Sequence, residues 1–143
     1  MALSKPMNVA SWILRIVVAV ILLQSLFFKF TGAPAAVQIF STVDEAVGEM
    51  TGLRGLMEPA GRIGTGVAEL VAAILLLIPV TVTFGAVIAV LIVAGAIYFH
   101  LFSDLGIAVV VDGQSDGGFL FILALVVLVA SLATLIIKWR GSR

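Results

Sequence analysis

Four long apolar stretches constrain this chain more than any other feature of its sequence. They cover residues of about 9–30, 59–78, 81–101 and 118–139, and each approaches the roughly 20 residues that a bilayer-crossing helix needs. Hydrophobic residues make up 62% of the 143-residue chain and charged residues only 11%. A water-soluble core of this size cannot bury so much apolar surface. The stretches therefore predict four membrane-spanning helices.

The predicted fold class is all-α, with residues 1–143 forming a single transmembrane domain built as a four-helix bundle. Strands of alternating polarity are absent from the sequence, which excludes a transmembrane β-barrel. The second helix is predicted to begin near Pro59, because proline is favoured at the first helical position. Arg15 and Lys29 interrupt the first apolar stretch, so we expect a spanning helix there and not a cleaved signal peptide.

The connection between the first two spanning helices contains a predicted helix of its own, over residues of about 42–51. Thr42 is followed three residues later by Glu45, which is the spacing of a capping box. Val43, Val47 and Met50 form an apolar stripe at helical spacing. We expect a short amphipathic helix on the outer face, either shielding the loop from water or acting as a lid.

The distribution of charge predicts the orientation and narrows the partners. Lys and Arg dominate both termini, whereas the two long connections are acidic, so the positive-inside rule places both termini in the cytoplasm. We expect the inner (cell) membrane as the location. The net charge is zero, which gives no indication of a nucleic-acid partner. The chain has no Cys, which excludes disulfides, thiol relays and Fe–S ligation.

Several ionisable residues lie within the predicted spans and are candidates for function. A charge at mid-bilayer costs about 2.5–3.5 kcal/mol on insertion scales, so such groups turn toward the bundle and toward partners. Counting along each helix places Lys29, Glu69 and His100 in the outer half of the bundle. Arg62 precedes Glu69 by seven residues and shares its face. We predict that these four residues form one polar cluster.

The cluster has more than one interpretation. Glu69 either forms a structural ion pair with Lys29 or Arg62, or is protonated, or binds a ligand or relays a proton. His100 is either a satisfied interface residue or a partner of a ligand. Arg15, near the inner end, either reaches the lipid phosphates or forms a structural pair or gate. One His and no Cys predict no metal site.

Four segments taken in order resemble the DoxX family over nearly the whole chain. They are "FFKFTG", "AELVAAILLLIP", "GAVIAVLIVAGAIYFHLFSDLGI" and "DGGFLFILALVVLVASL". The resemblance implies a small four-helix inner-membrane protein that associates with oxidoreductase assemblies, since the founding members are linked with thiosulfate:quinone oxidation. Without Cys, a thiol-based version of that chemistry is not carried over to this chain.

Two functional classes remain open from the sequence. In the first, the protein is a binding or partner subunit of an envelope redox complex and holds a lipophilic molecule such as a quinone. In the second, it is a non-redox membrane factor for lipid or small-molecule binding, transport or assembly. Neither class requires an autonomous enzyme, and small residues on the helices also leave room for a homodimer contact. The predicted ligand-binding residues are Lys29, Glu69, His100 and Arg62 for the polar head, with Phe28 and Tyr98 for the ring.

Overall fold

The computed structural model describes residues 3–143 and confirms an all-α bundle in which four helices are long and apolar enough to cross a membrane. The protein is therefore a multi-pass membrane protein in contact with lipid. Two short strands form an antiparallel hairpin late in the chain. In chain order the elements are α1 (Lys5–Thr31), α2 (Pro34–Thr51), a π-helical turn (Met57–Gly61), α3 (Arg62–Leu77), α4 (Val82–Phe102), β1 (Val110–Val111), β2 (Gln114–Ser115) and α5 (Phe119–Gly141).

The four spanning helices run alternately up and down and form a ring in the order α1, α3, α4, α5. Each packs against two neighbours, so α1 and α4 lie on one diagonal and α3 and α5 on the other. The two long connections, 32–61 and 103–118, lie at one end of the ring, which we call the long-loop end. The start of α1, the end of α5 and the short connection 78–81 lie at the opposite end, which we call the terminus end.

Small residues let the helices approach closely in the core. A Cβ atom on Gly85 would lie 2.6 Å from the backbone nitrogen of Leu76, so α4 touches the backbone of α3 at this point. Ala72, Ala86 and Ala89 around this contact have no exposed surface. Without a hydrophobic drive between helices in lipid, such close contact supplies much of the association energy. Large apolar side chains on the outside of the ring, such as Phe84 and Leu91, face the lipid.

The helix in the first long connection is longer than the sequence predicted. It begins at Pro34 and not near Thr42, because proline at the first position starts it directly after the turn at Gly32. Thr42 is therefore not a capping residue: its hydroxyl lies inside the helix and donates to the carbonyl of Gln38 at 3.0 Å. The helix ends at Gly52, whose φ of 76° is left-handed.

The first spanning helix is longer than the sequence estimate, and the second includes a π-helical turn. α1 begins at Lys5 and not near residue 9, with Pro6 in its first turn. In the second span the backbone is helical from Met57 to Leu77 except at Glu58, and regular α-helix begins at Arg62 after the π-helical turn. The predicted start near Pro59 falls within this turn.

Two aspartates fasten the long connections. Asp44 on α2 accepts hydrogen bonds from the backbone N–H groups of Met57 (2.8 Å) and Gly55 (2.7 Å), and these bonds hold its pKa below the ordinary value. Asp116 accepts from the N–H groups of Val109, Gly118 and Leu120. Burial by itself raises the pKa of Asp116, but the three hydrogen bonds outweigh it and the net shift is downward.

Candidate functional site

A buried ion pair joins α1 and α3 toward the long-loop end. The ammonium of Lys29 lies 3.0 Å from Oε1 of Glu69, and the two side chains are 13% and 6% exposed. Lys29 also donates to the hydroxyl of Ser25, one turn earlier on α1, and that hydroxyl donates to the same Glu69 oxygen at 3.3 Å. The three residues form a closed hydrogen-bonded triangle between the two helices.

Helix geometry explains why these side chains meet. The Cα–Cβ bonds of a helix tilt toward its N-terminus, so Lys29 leans away from the long-loop end while Glu69, on the antiparallel α3, leans toward it. Gly66, one turn from Glu69, brings the helices together: a Cβ there would lie 2.7 Å from Cε1 of Phe30. The absence of a side chain at Gly66 therefore allows the ring of Phe30 to lie on α3 beside the ion pair.

Arg62 forms a second ion pair, on the long-loop side of the first. Its Nε lies 2.8 Å from Oε2 of Glu58, and its Nη2 donates to Oε1 of Glu58 at 2.9 Å. Its Nη1 donates to the carbonyl of Lys29 in the last turn of α1. A guanidinium at a helix C-terminus satisfies a free carbonyl and interacts favourably with the helix dipole. Arg62 thus caps the C-terminal end of α1 next to the Lys29–Glu69 pair, on its long-loop side.

One oxygen of Glu69 has no partner. Oε2 is buried and makes no hydrogen bond within residues 3–143, although Oε1 receives two. A buried polar atom left without a partner costs free energy, typically about 1–3 kcal/mol. Carboxylates within spanning helices are rare and mark pathways and binding sites. Oε2 of Glu69 is therefore an acceptor of this site that no donor of the described residues satisfies.

His100 does not join this cluster, which corrects the prediction that Lys29, Glu69 and His100 converge. Gly85 contacts α3 between Ala72 and Leu76, and His100 lies fifteen residues beyond Gly85 along α4. At about 1.5 Å per residue, His100 lies more than about 10 Å closer to the long-loop end than Glu69 does. The sequence estimate assigned all three residues to the outer half of the bundle but did not separate their depths within that half.

His100 contacts groups of α5 and of the loop between α4 and α5. Its Nδ1 lies 2.6 Å from the carbonyl oxygen of Gly106, and its ring meets Phe121 of α5 edge-on, with centroids 5.4 Å apart. The backbone carbonyl can only accept, so the proton of a neutral ring is on Nδ1. This arrangement matches the interpretation of His100 as a satisfied interface residue.

Tyr98 lies in a separate groove between α2 and the end of α4. Its hydroxyl lies 3.5 Å from the sulfur of Met50, and its ring packs against Phe99 and Phe102. The groove has a volume of about 380 Å³ and is lined in part by Glu45, Glu49 and Asp104. The position of Tyr98 thus separates it from Phe28, which is half exposed on the lipid side of α1.

Two partners at the site were missed in the sequence. Ser25 precedes Lys29 by four residues on α1, which is the spacing of side chains on one helix face and was visible in the sequence. Glu58 also precedes Arg62 by four residues, but its backbone is not helical, so only the tertiary structure identifies this partner. Within residues 3–143, no three His, Cys, Asp or Glu side chains lie close enough together to hold a metal ion.

The comparison with protein families agrees with the architecture. The family model of DoxX matches residues 10–101, a range that contains α3, nearly all of α1 and α4, and each of the candidate site residues. No curated protein and no solved structure matches the chain. The match covers more than half of the chain and includes both helices of the buried ion pair. The chain therefore belongs to the DoxX family.

Proposed function

We propose that this protein is a binding subunit of a redox complex in the inner membrane and that it holds a lipophilic molecule such as a quinone at the Lys29–Glu69 pair. The observation that carries the proposal is Oε2 of Glu69, which is buried beside a cation and has no hydrogen-bond partner. A purely structural ion pair would be more stable with both carboxylate oxygens satisfied. The free oxygen favours a site that a ligand completes.

The polarity of the site specifies the head group. An ionised carboxylate only accepts hydrogen bonds, and an ammonium only donates them. Lys29 uses two of its three N–H groups, on Ser25 and Glu69. A hydroxyl fits this combination, because it donates to Oε2 of Glu69 while accepting the third N–H of Lys29. A quinol presents such a hydroxyl, whereas the carbonyl of an oxidised quinone accepts only from Lys29.

The surroundings suit an apolar ring and tail. Phe27 and Phe28 expose 62% and 45% of their surface on α1, and their rings meet edge-on with centroids 5.6 Å apart. A ring in the lipid can pack on these side chains while its hydroxyl turns toward Glu69. Arg62 supports the site by fixing the end of α1. His100 and Tyr98 lie elsewhere and are not needed for this head group.

The proposal is tested by analysis of bound lipophiles. Protein purified in mild detergent is extracted and its lipophiles are identified by mass spectrometry, with Glu69→Gln as the test variant and Glu45→Gln, at the rim of the separate groove, as the matched control. We expect a quinone or quinol with the wild type and the control, and a loss of about tenfold with Glu69→Gln, since the amide cannot form the charged contacts.

A second measurement separates the two redox forms. Titration of a short-chain quinol and of its quinone into lipid nanodiscs should give tighter binding of the quinol to the wild type, and equal binding to Glu69→Gln. If no lipophile is bound and Glu69→Gln is only less stable than the wild type, the redox proposal fails. The ion pair is then a structural clasp of a non-redox membrane factor.

A further inference from the structure

Buried polar groups also occur in the terminus half of the bundle. They lie apart from the proposed quinone site, which is toward the long-loop end. Arg15 of α1 is 3% exposed and Ser131 of α5 is fully buried. Each has a polar atom without a hydrogen-bond partner: Nη2 of Arg15 and Oγ of Ser131. Among the described residues, these two atoms and Oε2 of Glu69 are the buried side-chain atoms left unpaired.

Arg15 is only partly satisfied by the protein. Its Nε donates to the carbonyl of Leu76 at 2.5 Å, in the last turn of α3. Trp12 covers the guanidinium, with the central carbon 3.8 Å from the ring centroid. Neither contact uses Nη2. Among the described residues, the two ion pairs are Lys29–Glu69 and Arg62–Glu58, so Arg15 has no carboxylate partner there.

Ser131 lies at a depth similar to that of Arg15. Leu3 touches Gly141, which places the start of the chain level with the end of α5. Counting about 1.5 Å per residue from that contact, Arg15 and Ser131 both lie about 15–18 Å into the bundle. α1 and α5 pack directly against each other, and both residues are on their inward faces. Thr134, one turn away, instead donates to the carbonyl of Ala130 at 2.8 Å.

The groups at this depth favour one ligand chemistry. A guanidinium has donors only, and its two terminal nitrogens form a fork that matches two oxygens of a phosphate or carboxylate. A serine hydroxyl can add a third donor. The nearby chain end is basic, with Lys5, Lys138, Arg140 and Arg143 and no acid. A cation is therefore repelled from this end, whereas an oxyanion is attracted.

We propose that Arg15 and Ser131 bind a phosphate oxyanion inside the terminus half of the bundle. The phosphate of an anionic lipid is the favoured source, because Trp12, which covers the guanidinium, is partly exposed to the membrane. Inorganic phosphate carries the same oxygens and can reach the site only from water. The site is separate from the Lys29–Glu69 pair, and its occupancy does not depend on a quinone.

The test measures lipid retention and phosphate binding separately. The protein is placed in phosphatidylcholine nanodiscs with and without phosphatidylglycerol, and retained lipid is counted by native mass spectrometry. The variants are Arg15→Gln and Ser131→Ala, with Arg140→Gln as the control because its cation is exposed at the same end. We expect retention of phosphatidylglycerol to fall about tenfold with Arg15→Gln, several-fold with Ser131→Ala and less than about twofold with the control.

Inorganic phosphate is titrated in pure phosphatidylcholine nanodiscs in a parallel experiment, with thermal unfolding as the readout. Stabilisation by phosphate that requires Arg15 and Ser131, without retention of phosphatidylglycerol, supports the site and identifies its ligand as the free ion. If Arg15→Gln does not fold, Ser131→Ala decides. Behaviour of Ser131→Ala identical to the wild type in both experiments overturns the proposal.

Discussion

The two ends of the α1–α3 pair accommodate buried cations differently. Toward the long-loop end, Lys29 meets the carboxylate of Glu69, and Arg62 meets that of Glu58. At the terminus end, Arg15 meets the carbonyl of Leu76 and the ring of Trp12. At the first end a carboxylate compensates each buried cation. At the second end only the dipole of α3 and the ring quadrupole of Trp12 compensate the cation. Burial of a charged residue thus does not by itself predict an acidic partner.

The two arginines at these ends share one structural task. Arg62, at the start of α3, closes the last turn of α1, and Arg15, within α1, closes the last turn of α3. Each helix of the antiparallel pair therefore supplies a cation to the C-terminal end of the other. Free carbonyls at a helix end are costly in a membrane, where no water satisfies them. This exchange explains how two cations are tolerated within the spans.

The largest effect is expected from removal of one partner at the charge-paired end. Glu69→Leu leaves Lys29 buried without a counter-charge, and we expect a loss of about 3–5 kcal/mol in the free energy of unfolding. The double variant Lys29→Met with Glu69→Gln should lose less than the sum of its two single variants, because the residues are coupled. Unfolding in mixed micelles measures each loss. Additive losses would show that the pair is not coupled.

Replacement of Arg15 by leucine should lower the free energy of unfolding by less than Glu69→Leu does. Arg15→Leu removes the charge together with its desolvation cost, and leaves the carbonyl of Leu76 without its donor. We expect a loss of about 1.5–3 kcal/mol, the range of a hydrogen bond to a charged group. Unfolding in mixed micelles measures it beside Glu69→Leu. A loss as large as that of Glu69→Leu would mean that the two ends are not compensated differently.

Helix spacing at the charge-paired end can be tested with two glycines on α3. Gly66→Ala places a methyl group against the ring of Phe30, whereas Gly64→Ala meets nothing within 4 Å. We expect Gly66→Ala to lower the free energy of unfolding by about 1–3 kcal/mol through overpacking. Gly64→Ala, the matched control, should be neutral or stabilising. Equal effects of the two substitutions would indicate that the ring of Phe30 moves aside without cost.

The smallest effect is expected from the pH dependence of stability. We expect it to come from the long-loop end, where Asp116 accepts three backbone hydrogen bonds in the second long connection. Its folded pKa is lowered, so its stabilising contribution is complete above the unfolded value of about 3.9 and is lost as the pH falls through the folded pKa. We expect the difference in unfolding midpoint between wild type and Asp116→Asn to shrink as the pH falls below about 4 and to vanish below the folded pKa. Asp112→Asn, in the exposed hairpin turn, is the control. A difference that persists at low pH would contradict this role.

Much of the fold followed from the sequence, because apolar length and small residues act locally. In a membrane, a stretch of about 20 apolar residues can satisfy its backbone hydrogen bonds in few ways other than as a spanning helix. The pairing of Lys29 with Glu69 was also foreseen as one alternative, since a buried acid needs a cation. The position of His100 was not, because depth along α4 depends on where each helix begins and on how its neighbours are offset.

The sequence by itself determined the number of spanning helices, the end of the bundle that carries the acids, and the presence of charges that had to be buried. Only the tertiary structure decided which groups compensate each charge. Helix packing brings Glu69 to Lys29 and assigns Arg62 to Glu58, while Arg15 reaches a backbone carbonyl that no residue pattern specifies. The physical reason is that burial cost is fixed by residue type, whereas its compensation depends on atoms that distant segments bring together.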